Sequence, residues 1–348
     1  LKELELALFV AQTLEAHNSL LDCEAYPETW FSIHVYNHRA TIKSLEHIAV
    51  LLIDKLLPAP DDADTFDTKL WESFFMTLLK VISSDVLALE TFPEQKRRAV
   101  WKIAGDVREQ GADLLQSTWE AIGWETTDDE RERFNLKRLG GYQVQYVPGL
   151  VPPIIGLCLS VHEGLRHVAV QILQTMILSE WDLNQDISII ETEIISSLDA
   201  LFKSKQMNES VSQKIFIGEL LDLFESETIS DDLLSNAVKS LVGTVDELLD
   251  LLVASQSGAS TQSLHALKLM EYMKDMGRED IFIRYVHELA EAQAAAGNFT
   301  EAGLALQFHA DLYEWDLNKP MPELLRPAFP PQNAFERREA LYFSIIQH

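Results

Sequence analysis

Two cysteines, Cys23 and Cys158, among 348 residues are too few to staple a fold. They argue for a reducing compartment and against a disulfide scaffold, which makes the Asn208 and Asn298 sequons incidental. Glycine (14) and proline (12) are scarce, so helix breakers are few and long helices are favoured. No apolar run approaches the roughly 18 residues that a membrane span needs. The opening LKELELALF carries acidic residues where a secretory leader carries basic ones and reads as helix interior. Basic residues are also short: 28 Lys and Arg face 55 Asp and Glu, a formal charge of −27. Such a surface repels phosphates, which disfavours nucleic acid as a partner. Phosphate cradles of the GxxxxGK[ST] or GxGxxG type, a GxSxG elbow and an HExxH metal motif are all missing. His34 and His38 have the i, i+4 spacing of a ligand pair, but no third ligand stands at a convincing offset. No cofactor, metal or catalytic residue is therefore expected.

Apolar content is 47%, ample for a folded core, and it is distributed with helical periodicity. Trp71, Phe74, Phe75, Leu78, Leu79 and Ile82 fall on one helix face. So do Leu165, Val168, Ala169, Ile172, Leu173 and Met176, and again Phe282, Tyr285, Val286, Leu289 and Ala290. Period-two alternation is confined to Tyr142, Val144 and Tyr146, too short for a sheet, and an extended loop is expected there. The Trp residues at helical spacing, among them Trp30, Trp71, Trp101, Trp119 and Trp181, are expected in the core.

Breakers divide the chain into about a dozen helices joined by short loops. Pro27 stands near one helix start, with Glu28 in its first turn. LLPAPDDADT (56–65) is a loop, Thr91 and Pro93 mark another start, and 124–133 is a charged connection. Pro152 and Pro153 open a helix, and Ser230 is placed to cap one beginning at Asp231. Gly297 can end a helix in left-handed geometry and Thr300 can cap the next, whose expected buried stripe is Ala305, Phe308, Leu312 and Trp315. This pair also looks like one tetratricopeptide-type hairpin. The Ser- and Gly-rich stretch 254–263 reads as a linker. Helix pairs recur without a strict repeat, and each must bury its apolar face on its neighbours. The expected architecture is all-α: an armadillo- or HEAT-like helical-repeat solenoid over 1–257, continuing into a short helical-repeat segment over 258–348.

Charge is uneven. Asp and Glu dominate 181–260, where Lys203, Lys205, Lys214 and Lys239 are the only bases. Basic residues gather elsewhere, at Arg131, Arg133, Lys137 and Arg138 and at Lys96, Arg97, Arg98 and Lys102. The second group is the candidate interaction patch, for an acidic partner or an anionic lipid, with a solvated helix face as the competing reading. RPAFPP (326–331) reads as a Pro-rich crossing, with a polyproline ligand as the competing reading.

Four segments in one order resemble the DOCK (dedicator of cytokinesis) family. They are YPETWFSIHVYNHRATIKSLEHIA (26–49), LWESFFMTLLKVISSDVLALETFPEQKRRAVW (70–101), YVPGLVPPIIGLCLSVHEGLRHVAVQIL (146–173) and MKDMGREDIFIRYVHELAEAQAAAGNFTEAGLALQFHADLYEW (273–315). The resemblance implies an armadillo-like scaffold over 1–257, then the beginning of the first lobe of a guanine nucleotide exchange domain, used in homodimerisation. It implies that exchange on a Rho-family GTPase, usually Rac, is the work of later lobes, so no residue here takes the nucleotide-sensor role. It also implies an ELMO-type regulator as partner and a cytoplasmic protein with peripheral recruitment to the plasma membrane. The acidic surface suits a divergent, fungal member. Two other classes stand beside this reading. A stand-alone peptide-binding repeat adaptor needs a ladder of Asn or basic residues on successive helices, and no regular ladder is present. An all-helical enzyme needs convergent carboxylates or histidines.

Overall fold

The computed structural model of the protein describes residues 2–22, 27, 30–204, 210–224, 232–256, 262–325 and 329–347. The fold is all-α and built of helical repeats. Strand among the described residues is limited to two-residue pairs, 124–125 with 138–139 and 320–321 with 332–333. Glu28, Ser230 and Asp231 lie outside the described residues, as do 257–261 of the expected linker and part of RPAFPP, and the rest of that linker (254–256 and 262–263) is helical. Two compact units divide between Asp246 and Glu247.

In the first unit α1 (Lys2–Asp22) packs on α3 (Thr68–Ile82), and α2 (Phe31–Lys55) packs on α3, α4 (Glu94–Ala104) and α5 (Val107–Ala121). A short α6 (Asp128–Phe134) precedes α7 (Val151–Cys158), which lies on α8 (Glu163–Asn184) and α9 (Ser188–Ser204). α8 also packs on α5 and on α10 (Ser210–Phe224). The aromatic stripe of α3 is the heart of this unit: Trp71, Phe74 and Phe75 are fully buried. Phe75 meets Trp119 of α5 edge-on at 5.7 Å and Tyr146 at 5.6 Å. Each ring contributes on the order of 1.5–3 kcal/mol through burial. Proline opens α7 as expected, at its first helical turn.

Three local expectations are corrected. Residues 141–146 form a 3₁₀ turn instead of an extended loop. The turn buries both tyrosine rings while their hydroxyls donate to backbone carbonyls, Tyr142 to Pro58 and Ala59, Tyr146 to Thr68 at 3.0 Å. Residues 60–65 are also a 3₁₀ turn. The charged connection 124–133 contains α6, started by a reciprocal cap. Glu130 N–H donates to the Thr127 hydroxyl, and Thr127 N–H donates to the Glu130 carboxylate.

In the second unit α12 (Gln262–Asp275), α13 (Glu279–Ala295), α14 (Phe299–Ala310) and α15 (Ala334–Gln347) each pack on the next. The α12–α13 and α13–α14 turns are the same object, twenty residues apart. Gly277 and Gly297 are left-handed (φ 69° and 81°). The amide after each glycine reaches back to a carbonyl of the departing helix, Arg278 to Met273 at 2.8 Å and Asn298 to Gln293 at 2.9 Å, which satisfies the helix end. The next helix then starts from the cap position of Arg278 or Asn298. Thr300 is thus inside α14 and not its cap. α14 ends at Ala310 and buries Ala302, Gly303, Ala305, Leu306 and His309, leaving Phe308 47% exposed. The expected stripe fails because Leu312 and Trp315 lie beyond the helix end.

α11 (Asp232–Gln256) spans the division between the units.

One glycine has an exacting place. A Cβ on Gly111 of α5 would sit 2.2 Å from Ile82 Cγ2 of α3, far inside van der Waals contact. Gly111→Ala should therefore lower the stability of the first unit by about 1–3 kcal/mol, despite alanine's better helix propensity. Thermal unfolding followed by circular dichroism checks this, and an unchanged or raised first transition would contradict the packing.

Candidate interaction surface

The expected patch lies on α4. Pro93 occupies the cap position and Gly105, at φ 68°, ends the helix. Val100 and Ala104, four residues apart, are the buried side of α4. Arg39 of α2 donates from Nη1 to the Ile103 carbonyl at 2.7 Å, placing a cation at the negative end of the helix dipole. Lys96, Arg97, Arg98 and Lys102 are all exposed, but they are not equivalent. Lys96 Nζ stands 4.1 Å and 4.0 Å from the ring centroids of Phe31 and Phe92, which meet edge-to-face at 4.8 Å. This cation–π contact fastens α4 to α2. Arg97 donates to the Phe92 carbonyl at 3.3 Å, and Arg98 pairs with Glu94 one turn earlier. Such an exposed pair is weak, so Arg98 can exchange it for another anion.

Trp101 was expected in the core and is not there: it is 56% exposed. By helical spacing Arg97 and Arg98, four and three residues earlier, flank it on the helix surface, and Lys102 is the next residue along the chain. Sequence carried the signal, because Val100 and Ala104 already fill the inward positions of this short helix. Trp30 is likewise 52% exposed, whereas Trp71, Trp119 and Trp181 are buried. The second basic cluster serves local structure. Arg131 donates to the Thr126 carbonyl and Arg138 to the Ala121 carbonyl.

The perturbed titratable groups are bound into the framework. His38 donates from Nδ1 to the His34 carbonyl at 2.7 Å and accepts from Ser84 at Nε2, while His34 Nε2 lies 3.2 Å from the Pro27 carbonyl, so the two imidazoles are engaged separately. Among the described residues no group of three potential metal ligands converges. Leu165 N–H donates to His162 Nδ1 at 3.1 Å, capping α8. Nε2 therefore carries the proton and donates to Asp106 Oδ2 at 3.1 Å, while Asp106 Oδ1 caps α5. Burial works against the Asp106 carboxylate, but the His162 bond and nearby Arg108 outweigh it and hold its carboxyl below the usual range. Arg108 pairs with Glu90 at 2.6 Å and Arg166 with Glu219 at 2.9 Å, both arginines being buried. Burial pushes the Cys158 thiol well up, which makes it unreactive. In a cleft beside α5, Gln116 donates to Glu120 and Gln171.

The second unit holds a buried relay. His287 Nε2 lies 2.9 Å from His309 Nδ1, and His309 Nε2 lies 2.9 Å from the Tyr313 hydroxyl. His309 is fully buried. Burial, then His287 and Arg337, push its imidazole down to about 3. Burial also lowers His287, against the opposing pull of Glu291.

The chain matches the family model described as the dedicator of cytokinesis (DOCK) TPR region over residues 2–216. It is 25% identical over 351 residues to human dedicator of cytokinesis protein 4, covering 99% of this chain and 16% of that protein. It is 24% identical over 356 residues to human dedicator of cytokinesis protein 3, again 99% of this chain and 16% of that protein. It is 20% identical over 328 residues to DOCK-like protein 1 of Saccharomyces cerevisiae, covering 90% and 17%. The chain thus spans about a sixth of the length of these relatives.

The relay sets a pH dependence. A histidine whose folded value is about 3 against an ordinary 6.5 stabilises fully above 6.5. That stability is lost as pH falls toward 3, because the unfolded chain takes up the proton first. The melting temperature of the second unit should fall across this window, and His309→Gln should flatten that fall while destabilising the unit at pH 7. An equally steep pH dependence in the variant would remove His309 as its source.

Proposed function

The chain belongs to the dedicator of cytokinesis family, and on that premise we propose that it is the non-catalytic scaffold and interaction part of a guanine nucleotide exchange factor for Rho-family GTPases of the Rac type. Residues 1–257 form the scaffold, and 258–348 begin the first lobe of an exchange domain whose catalytic lobes lie outside this chain. The two parts position that domain, support its pairing with a second copy, and take regulation from an ELMO-type protein. The protein works in the cytoplasm and is recruited peripherally to the plasma membrane. Among the described residues no helix is long and apolar enough to cross a membrane.

One observation supports the reading above the others: the match to the family model extends over residues 2–216. The way polar groups are used supports it. Asp106, His162, Arg108, Arg166 and His309 are occupied in caps, ion pairs and helix contacts, as suits a framework. The exposed basic stretch Lys96–Lys102 on α4 is its interaction patch.

Nucleotide exchange on Rac tests the reading. The 348-residue chain alone should leave the rate at its intrinsic value, while a longer chain carrying the later lobes should raise it. Clear acceleration by the 348 residues would place catalysis inside them and end the scaffold reading.

A further inference from the structure

We infer that the outer face of α4 seats on an anionic lipid bilayer, with the Trp101 ring at the interface and Arg97, Arg98 and Lys102 against headgroup phosphates. The inference rests on α4 being the interaction patch and names its partner.

Charge gives the first argument. The whole chain is strongly acidic, at −27, so an anionic surface repels most of it, and only a concentrated cationic site can hold it there. Arg97, Arg98 and Lys102 provide that site within less than two helical turns, all three exposed. Among the described residues Arg98 is held by the exposed Glu94 pair alone, which headgroup phosphates can displace. Lys96 has a different task. Its ammonium is engaged by the Phe31 and Phe92 rings and, with the Arg39–Ile103 bond, anchors α4 from beneath.

Trp101 decides between a bilayer and an acidic peptide. An exposed indole among long cationic side chains is the composition of a helix lying in a membrane interface. The ring sits at headgroup level while the Arg and Lys stems lie along the apolar boundary with their charges in the headgroups. Peptides bound as a strand or a helix use a sheet edge or a groove, and an acidic motif held by an Arg cluster alone would leave the Trp101 ring without a role. α4 instead presents one short helix of 11 residues, its inward side already used by Val100 and Ala104, and this shape suits a flat partner. Each cation near an anionic surface strengthens binding about fivefold, so three together give a factor on the order of 100. That is enough to orient an already recruited protein and too little to anchor it permanently.

Cosedimentation of the 348-residue chain with vesicles tests this. The chain should bind phosphatidylcholine vesicles doped with phosphatidylserine, should not bind phosphatidylcholine alone, and should be released by high salt. Arg97→Ala/Arg98→Ala/Lys102→Ala should weaken binding by roughly 100-fold. Trp101→Ala should weaken it by about tenfold and abolish a blue shift of indole fluorescence on adding vesicles. Trp101→Tyr, which keeps an interfacial ring, should restore most of the affinity, so a general folding defect is distinguishable. Lack of binding to the doped vesicles, or binding undiminished in both alanine variants, would overturn the inference. So would capture of soluble polyglutamate or a free inositol phosphate in preference to vesicles. Lipid takes no part in the exchange assay on Rac, so failure here leaves the scaffold reading intact.

Discussion

The close approach of α5 to its neighbours is the constraint on which the first unit depends. α5 touches α2, α3 and α8, and its contacts with α3 and α8 use several devices. Gly111 removes the atom that would collide with Ile82. Trp119 fills the space toward Phe75 and donates its indole N–H to Thr175 of α8 at 2.8 Å. Asp106, at the helix start, caps α5 and accepts from His162, which caps α8. Two helix beginnings are thereby tied through one carboxylate and one imidazole. The register of α5 against α8 is set at both its ends, and the aromatic cluster packs within that frame.

The same economy explains a chain rich in charge with little evident chemistry. A buried arginine costs several kcal/mol unless its charge is met and its hydrogen bonds are filled. Arg108 and Arg166 are each met by a glutamate distant in sequence. Among the described residues Arg337 has no such acid, and it donates to the Pro322 and Pro330 carbonyls at 2.6 and 3.0 Å. These contacts specify which helices meet more than they add stability. Helical repeats need such specificity, because their apolar faces are chemically alike and could pair out of order.

Much of this was legible in sequence where the signal is periodic. The stripes Trp71–Ile82 and Leu165–Met176 are the buried faces of α3 and α8, and Gly297 ends α13 in the conformation its position demands. Reading failed where a single residue's environment overrides a local pattern. Thr300 is a good cap by type, yet Asn298 takes the position, because the turn after Gly297 fixes the start one residue beyond it. Thr127 and Glu130 stood at capping-box spacing within a run of charge, and the charge hid the helix they begin. The basic residues of α4 could be located, but only their surroundings separate Lys96 from the others. Phe31 lies 65 positions away in sequence, and no local pattern announces the contact. Trp101 shows the converse error, since size and apolarity say core and only the shortness of α4 says surface.

The duplicated turn of the second unit bears on how such a chain changes over evolutionary time. Its hydrogen bonds run from the three residues after each helix to carbonyls of that same helix. The turn therefore carries its own instructions and borrows none from distant residues. A module of one helix plus one turn can be gained or lost whole, leaving the geometry of the turns on either side intact. Lineages can then alter the length of this array in whole steps without redesigning its junctions, while within a step the left-handed glycine is the position least free to drift.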